Sequence, residues 1–527
     1  MAIDAEKSSS ITKRAMAVFI LFCIIIFIAF RAKWVGHLLI WDEAISLCTI
    51  RSFLPHGTDD FSNWFWRHPP LFSLLMMFLS PLKSGFAERV EWMSIVIGVI
   101  NLLLLFRLNQ RLLGTSIALW SIFFIAVQPG SVFFDVWIKT DHTVTTFGLL
   151  AIILLSMRQP LYSGLSLGLA MLSKETGIFY VIATLLIWLC GGMGQRTRRD
   201  LAALTFIPLI ACGWWYFGVK ILVDQTTFAA AGINPMNPWY LKIFGGSADF
   251  VKFAFSSQSG WNRSWNYYFT NIPLITGFHG FVIAFVGAIF NPFIWRQKNA
   301  EALNNQATPI SKLWPLFLLI PSYTILSLLH SKVPWIVIVL LPAWATLQGI
   351  AVAEIIGFFR RIGNNSKSCN LIQVITSSLV IIGCITAVWK LDYEKTLQHT
   401  DIGQWRGAHY SRDIALQMNQ LVSDRERILV TSFHYWKGLG PGHACPVFAY
   451  YFTKKTEVLI RPHETTYNQL VSDIKRYRID WALLSPEPPI LEHIILPGFI
   501  NNHNLIPKML EKAVIFKTTA VYREDFK

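Results

Sequence analysis

Long apolar runs, broken by short polar segments rich in Lys and Arg, fill the first three-quarters of the chain. A helix needs about 20 apolar residues to cross the hydrocarbon core of a bilayer. About eleven runs meet or approach that length, near residues 15–30, 89–106, 115–133, 142–157, 161–173, 177–190, 201–222, 272–295, 313–329, 333–356 and 371–390. The runs at 161–173 and 177–190 are the weakest and read as a broken pair of spans or a re-entrant hairpin. A further apolar piece, 71–79, stops before Pro81 and is too short to cross, so it is expected to lie as a helix in the interface. After about residue 390 the pattern changes. Apolar runs shrink to strand length at 427–433, 456–460 and 480–484, and helix-like stretches at 411–422 and 464–477 alternate with them. That alternation predicts a small α/β domain with a mainly parallel sheet. The expected architecture is a polytopic α-helical membrane protein of about eleven transmembrane helices over residues 1–390, then a small C-terminal α/β domain over 391–527.

Composition strengthens the membrane reading. Of 527 residues, 53% are hydrophobic and only 15% charged, with a mean hydropathy of +0.44, far from the balance of an ordinary soluble protein. The 21 Trp and 39 Phe suit aromatic belts and lipid-facing surfaces. Orientation follows from Lys and Arg in the short loops. One set of loops carries Lys7, Lys13, Arg14, Arg107, Arg111, Arg158, Arg196, Arg198, Arg199, Arg296, Lys298, Lys312, Arg360, Arg361 and Lys367. The short loops on the other side carry only Lys139, Lys174 and Lys332. The N-terminus is therefore expected in the cytoplasm of a plasma-membrane protein, with loops 31–88 and 223–271 and the domain 391–527 outside. The net charge of +15 is then explained by cytoplasmic loops facing anionic lipid rather than by nucleic-acid binding. Lys13-Arg14 precedes a first span with no small-x-small cleavage site, which reads as a retained signal anchor. Of seven Cys, only Cys48 and Cys445 are expected outside, which leaves a disulfide between them open; no CxxC or His/Cys zinc spacing occurs.

Candidate chemistry collects on the expected outer side. Trp41-Asp42-Glu43-Ala44 sets two carboxylates where the chain first leaves the bilayer, a costly placement unless they act as a general base or metal ligand. His68-Pro69-Pro70-Leu71 follows; His68 would reach a phosphate or sugar hydroxyl, or the prolines simply start a helix. The second outer loop brings Asp135, Lys139 and Asp141, although an acid at a helix start is also favoured by capping and the helix dipole. Lys174, Lys332 and Arg263 supply cations that could clamp a departing phosphate, or simply snorkel at the rim. No Walker loop, dinucleotide fingerprint or G-x-S-x-G elbow appears, so a soluble nucleotide site has no support.

Taken in order, Trp41-Asp42-Glu43-Ala44, His68-Pro69-Pro70-Leu71, Lys139-Thr140-Asp141, Leu172-Ser173-Lys174-Glu175-Thr176-Gly177 and Lys332-Val333-Pro334-Trp335 with Leu340-Leu341-Pro342-Ala343 resemble the GT-C superfamily of membrane glycosyltransferases. The likeness is to the branch of protein O-mannosyltransferases and lipid A aminoarabinose transferases (glycosyltransferase family 39) and covers roughly residues 10–355. It implies inverting transfer of a sugar from a polyprenyl-phosphate donor to an acceptor glycan, lipid or protein, with Asp42 as catalytic base, Asp141 assisting, and Glu43 beside them. Some relatives use a divalent cation; Asp42 and Asp141 would hold one. The extra Asp135 departs from the family pattern and competes with Asp141 for the second acid. A transporter or flippase of an anionic lipid-linked substrate is the alternative, but it should carry ionisable groups at mid-membrane and repeated halves. A non-catalytic assembly partner is a third reading, against which the retained Asp42 and Asp141 argue.

Overall fold

The computed structural model describes residues 2–37, 39–52, 69–78, 86–190, 197–219, 264–297, 312–328, 334–362, 367–391, 404–431, 446–454, 458–461, 467–484, 507–510 and 513–517. The chain opens with α1 (Ala2–Ala32), α2 (Trp41–Ser52) and the short α3 (Leu71–Phe78). Then come α4 (Phe86–Leu112), α5 (Thr115–Val127), α6 (Pro129–Phe134) and α7 (Asp141–Ser156). Helices α8 (Pro160–Ser173) and α9 (Ile178–Leu189) flank a single 3-10 turn, Glu175–Gly177, and α10 (Arg198–Gly213) runs into a π-helical turn, Trp214–Val219. The remaining apolar helices are α11 (Tyr267–Thr276), α12 (Phe278–Gln297), α13 (Trp314–Leu328), α14 (Leu341–Ile362), entered through a 3-10 stretch Pro334–Leu340, and α15 (Lys367–Trp389).

Local chemistry sets these boundaries. Pro129 and Pro160 stand in the first turn of α6 and α8, where a missing N–H costs nothing. Thr197 and Asp200 close a reciprocal capping box on α10. Gly114, at φ 98°, makes the tight reversal between α4 and α5 that a side chain would resist.

Each apolar run predicted from the sequence falls largely on one of these helices. Among the described residues, three stretches have the length and hydropathy of a full crossing: Lys13–Ala32, Phe86–Leu112 and Ile336–Phe359. Six shorter apolar helices, among them Asp141–Ser156 and Trp314–Leu328, have 10–17 residues. At 1.5 Å per residue they fall short of a hydrocarbon core of about 30 Å unless turns, tilt or neighbours make up the difference. The eight residues of α3 are far too few to cross.

Helix pairs approach closely where glycine permits. Gly164 and Gly168 of α8 face Ala203 and Ile207, and Pro208 and Ala211, of α10. Gly287 of α12 lies on the Leu347 carbonyl of α14, and Gly349 of α14 on Ser121 of α5. In lipid, where apolar burial drives little association, such close backbone contact is a main source of cohesion. Asn109 adds polar glue: its amide donates to the Thr346 hydroxyl at 2.8 Å and its oxygen accepts from the Trp314 indole at 3.1 Å. Outward faces remain apolar, with Val18, Leu21 and Ile25 on α1 and Leu371, Val374 and Leu379 on α15 all exposed.

Beyond the bundle lie α16 (Gln404–Leu421), β1 (Ile428–Thr431), α17 (Pro446–Tyr451), β2 (Val458–Arg461), α18 (Tyr467–Tyr477), β3 (Trp481–Leu484), β4 (Pro507–Leu510) and β5 (Ala513–Lys517). The strands form one sheet of order β2-β1-β3-β5-β4. Strands β2, β1 and β3 run parallel, in register Ile428 to Val458 and Ile428 to Trp481. Strands β3, β5 and β4 pair antiparallel, with only Glu511 and Lys512 between the last two. The antiparallel edge is absent from the sequence expectation; Pro507, Lys508 and Lys517 interrupt its apolar pattern.

Candidate active site

The turn between α1 and α2 is built around Glu43. This carboxylate is fully buried. Its Oε2 accepts the Ile40 N–H at 3.0 Å, the reciprocal half of a capping box at the start of α2. Its Oε1 accepts the Ile138 N–H at 2.9 Å from the turn between α6 and α7. Glu43 therefore ties the segment carrying Asp42 to the segment carrying Lys139 and Asp141. Both Glu43 oxygens are engaged by groups of the protein, and the carboxylate joins the two loops. Asp42 is the second residue of α2; its side chain lies outside the described residues.

His37 holds the other side of Glu43. Its Nε2–H donates to Glu43 Oε1 at 3.1 Å and its Nδ1–H to the Trp34 carbonyl at 3.2 Å. Glu91 of α4 stands 3.4 Å from the same Nδ1 and accepts the Gly36 N–H at 2.6 Å. Burial depresses the His37 imidazolium, but the Glu43 carboxylate, then Glu91 and the Trp34 carbonyl, outweigh it and raise the pKa above its ordinary value. Both ring nitrogens face acceptors, an arrangement that favours the protonated ring.

Asp141 opens α7, yet it does not cap it: the helix N-terminus has no side-chain cap at Thr140. The buried carboxylate turns instead to Lys174, whose Nζ donates to Oδ2 at 2.7 Å, while the Thr176 hydroxyl reaches Oδ1 at 3.5 Å. Lys174 follows the last residue of α8 in extended conformation, so the break between α8 and α9 delivers it to the start of α7. Lys139 is also buried, with its ammonium 5.6 Å from the Trp137 ring centroid. Lys139, Asp141 and Lys174 thus meet at one end of the bundle.

Asp135, the competing acid, is engaged elsewhere. Arg31, fully buried at the end of α1, donates to its Oδ2 from Nε at 2.9 Å and Nη2 at 2.7 Å, and Ser131 donates at 2.6 Å. Arg31 also donates to the carbonyls of Phe27, Ala126 and Ile125. His142 faces Asp135 Oδ1 at 3.6 Å. The ion pair welds α1 to the α5–α6 corner, a structural task for Asp135. His68, Lys332 and Arg263 lie outside the described residues, while Pro69 and Pro70 are buried and lead into α3.

Sequence reasoning missed Arg31, His37 and Glu91. A signal existed: Arg31 and Glu91 are charges at the rims of apolar runs, where an ionisable group needs a partner. Among the described residues, no group of three or more His, Cys, Asp or Glu could hold a metal ion. Asp141 already has Lys174 in the place a cation would take. Cys48 is buried in α2; Cys445 lies outside the described residues, and with it the expected Cys48–Cys445 pairing.

Comparison with known proteins fits this geometry. Residues 67–216 match the family of dolichyl-phosphate-mannose-protein mannosyltransferases, a stretch that contains Lys139, Asp141 and Lys174. No curated protein sequence matches the chain. Among solved structures, apo ArnT from Cupriavidus metallidurans superposes with a TM-score of 0.59 at 14% identity, covering 97% of this chain and 98% of that one. The same protein bound to undecaprenyl phosphate gives 0.57 at 14% identity, over 96% and 98%. The archaeal oligosaccharyltransferase AglB from Archaeoglobus fulgidus, in complex with an inhibitory peptide and a dolichol-phosphate, gives 0.54 at 12% identity, over 91% of this chain and 70% of that one. With a mannosyltransferase family match over the part of the site that carries Lys139, Asp141 and Lys174, and a shared architecture along nearly its whole length, the chain has the fold of the GT-C superfamily of membrane glycosyltransferases.

Proposed function

We propose that this protein is an inverting glycosyltransferase that moves a monosaccharide from a polyprenyl-phosphate donor to an acceptor hydroxyl at the outer face of the plasma membrane. The observation that carries the reading is the double hydrogen bond of Glu43 to Ile40 and Ile138. It supports a site assembled from the start of α2, where Asp42 stands, and the Lys139-Thr140-Asp141 turn. Support for a lipid-linked donor comes from relatives of the same fold that bind undecaprenyl phosphate or dolichol-phosphate.

In this reading Asp42 takes the proton of the acceptor hydroxyl as its oxygen attacks the anomeric carbon. The bond from that carbon to the phosphate oxygen breaks with inversion, and polyprenyl phosphate leaves with the electron pair. The leaving group departs as an anion, so it needs cations more than a general acid. Lys139 and Lys174 supply them, and Asp141 orients the Lys174 ammonium through its 2.7 Å contact. His68, Lys332 and Arg263 are further proposed contacts to phosphate and sugar. Asp42 and Asp141 are the carboxylates that would hold a divalent cation, which would first have to displace Lys174 from Asp141.

Asp42→Asn is the test. Membranes containing the wild-type protein should release undecaprenyl phosphate from an undecaprenyl-phosphate-linked sugar in the presence of an envelope acceptor fraction. The variant should insert normally and lose about 10²- to 10⁴-fold in turnover, the contribution of a positioned base. Near-wild-type turnover would remove Asp42 from the chemistry.

A further inference from the structure

His37 and Glu91 have no part in the chemistry above, yet both are held with great economy of exposure. The His37 side chain is 3% exposed and that of Glu91 1% exposed. Neither can touch a substrate from such a position. His37 cannot serve as a base either, because both ring nitrogens already donate, Nε2 to Glu43 and Nδ1 to Trp34. A carboxylate buried in the second turn of a membrane helix is costly unless its partners are fixed. Here the partners are the Gly36 N–H and the His37 ring, both in the turn that leads into α2.

The contacts run in one line. Glu91 grips Gly36 and His37; His37 grips Glu43; Glu43 grips Ile40 at the start of α2 and Ile138 before α7. The line starts on α4, whose length suffices to cross a membrane. It ends on the two segments that bear Asp42 and Asp141.

We propose that His37 and Glu91 are positioning residues for the transfer reaction: anchored on α4, they fix the Glu43 carboxylate and so hold the start of α2 in register with the Ile138–Asp141 turn. The proposal rests on the assignment of Asp42 as the base. It deepens that assignment by naming what sets the base's distance from the phosphate-binding lysines. A displacement of about 1 Å at a reacting group costs on the order of a hundredfold in rate, so a rigid tie of this kind has a kinetic signature.

Two readouts test it in the full-length protein in lipid nanodiscs. The first is amide hydrogen exchange, which needs no substrate. His37→Gln and Glu91→Gln should each speed exchange about tenfold in residues 39–44 and also in 136–140, the second segment being reached from Glu91 only through His37 and Glu43. Residues 115–127 serve as the control for general loosening and should not change. Unaltered exchange at 136–140 in both variants, or equal acceleration in the control, overturns the proposal. The second readout is steady-state release of undecaprenyl phosphate from an undecaprenyl-phosphate-linked sugar in the presence of the envelope acceptor fraction, whose hydroxyl takes the sugar. Each variant should lose about ten- to a hundredfold in kcat with donor KM nearly unchanged. The double variant should lose no more than His37→Gln alone, because both act through one contact. Additive losses, or losses confined to KM, overturn it. Should the wild-type protein release no undecaprenyl phosphate, the catalytic reading falls, and the exchange readout still decides whether the tie exists.

Discussion

At the scale of single residues, ion pairs among the described residues organise the end of the bundle that carries Asp141: Arg31 with Asp135, Lys174 with Asp141, and His37 with its two glutamates. Removing one partner of a buried pair leaves an uncompensated charge and costs about 3–5 kcal/mol. Lys174 keeps 19% side-chain exposure while Asp141 has none, so Lys174→Met should fall near the lower end of that range. Adding Asp141→Leu should recover most of the stability and none of the turnover, which thermal unfolding and donor release measured together will separate. The His37 pair predicts a pH dependence. Its folded pKa lies above the ordinary 6.5, so the stabilisation is complete below that value and is lost as pH rises through the folded value. The melting-temperature gap between wild type and His37→Gln should therefore be widest near about pH 6 and shrink toward about pH 9. A gap that widens with pH would contradict the charged ring. Asp141 and Lys174 are legible in the sequence because each stands in a short charged break between apolar runs. His37 and Glu91 are not, because the partner that explains them lies 54 residues away in the chain and is brought near only by the fold.

Elements were easier to read than residues, for a physical reason. Apolar runs of helical length have one way to satisfy their backbone in lipid, so nearly every run becomes a helix. Which helices touch is another matter. The pairing of α8 with α10 rests on Gly164-Leu165-Ser166-Leu167-Gly168, a small-residue stripe visible in the sequence but silent about its partner. A Cβ at Gly164 would run into the Ala203 carbonyl of α10, which is backbone and cannot step aside. Gly164→Val should therefore force the helices apart and destabilise the protein by about 1–3 kcal/mol or more. Gly383 of α15 has nothing within 4 Å of its would-be Cβ, and Gly383→Ala should cost nothing or add slightly through helix propensity. Equal melting temperatures for the two variants would mean that α8 and α10 do not pack as described. The sheet follows the same logic: apolar β1, β2 and β3 are legible, whereas β4 and β5 are fixed mainly by the strand they join.

For the whole molecule, the largest step from sequence to structure is the union of the first loop with the C-terminal part. Leu39, Ala44, Leu47, Phe72 and Met76 share one apolar core with Ile414, Met418, Val430, Phe448 and Phe452. Arg51 of α2 donates to the carbonyls of Tyr450 at 3.0 Å and Ala449 at 3.5 Å, and its guanidinium lies 5.4 Å from the Tyr450 ring centroid. The Leu39 N–H reaches the Tyr451 hydroxyl at 3.5 Å. Segments roughly 400 residues apart can share a dry core only if both lie on one side of the membrane. The Tyr451 hydroxyl, pushed up to about 12 by burial, stays neutral there at any physiological pH. The excess of Lys and Arg in the opposite loops predicts that this side is the outer one. Arg111 of α4 donates to the Ser156 carbonyl at the far end of α7, close in sequence to Arg158, so these two arginines lie at the opposite end of α7 from Asp141. Alkaline phosphatase, active only outside the cytoplasm, should be active when fused at Lys527 and inactive when fused after Arg158. The reverse result would turn the molecule over and put Asp42 in the cytoplasm, where the proposed outer-face transfer could not occur. Activity at both positions would place the α7–α8 loop on the same side as the C-terminal part, so the helices between α2 and Arg158 would cross an even number of times rather than the odd number expected.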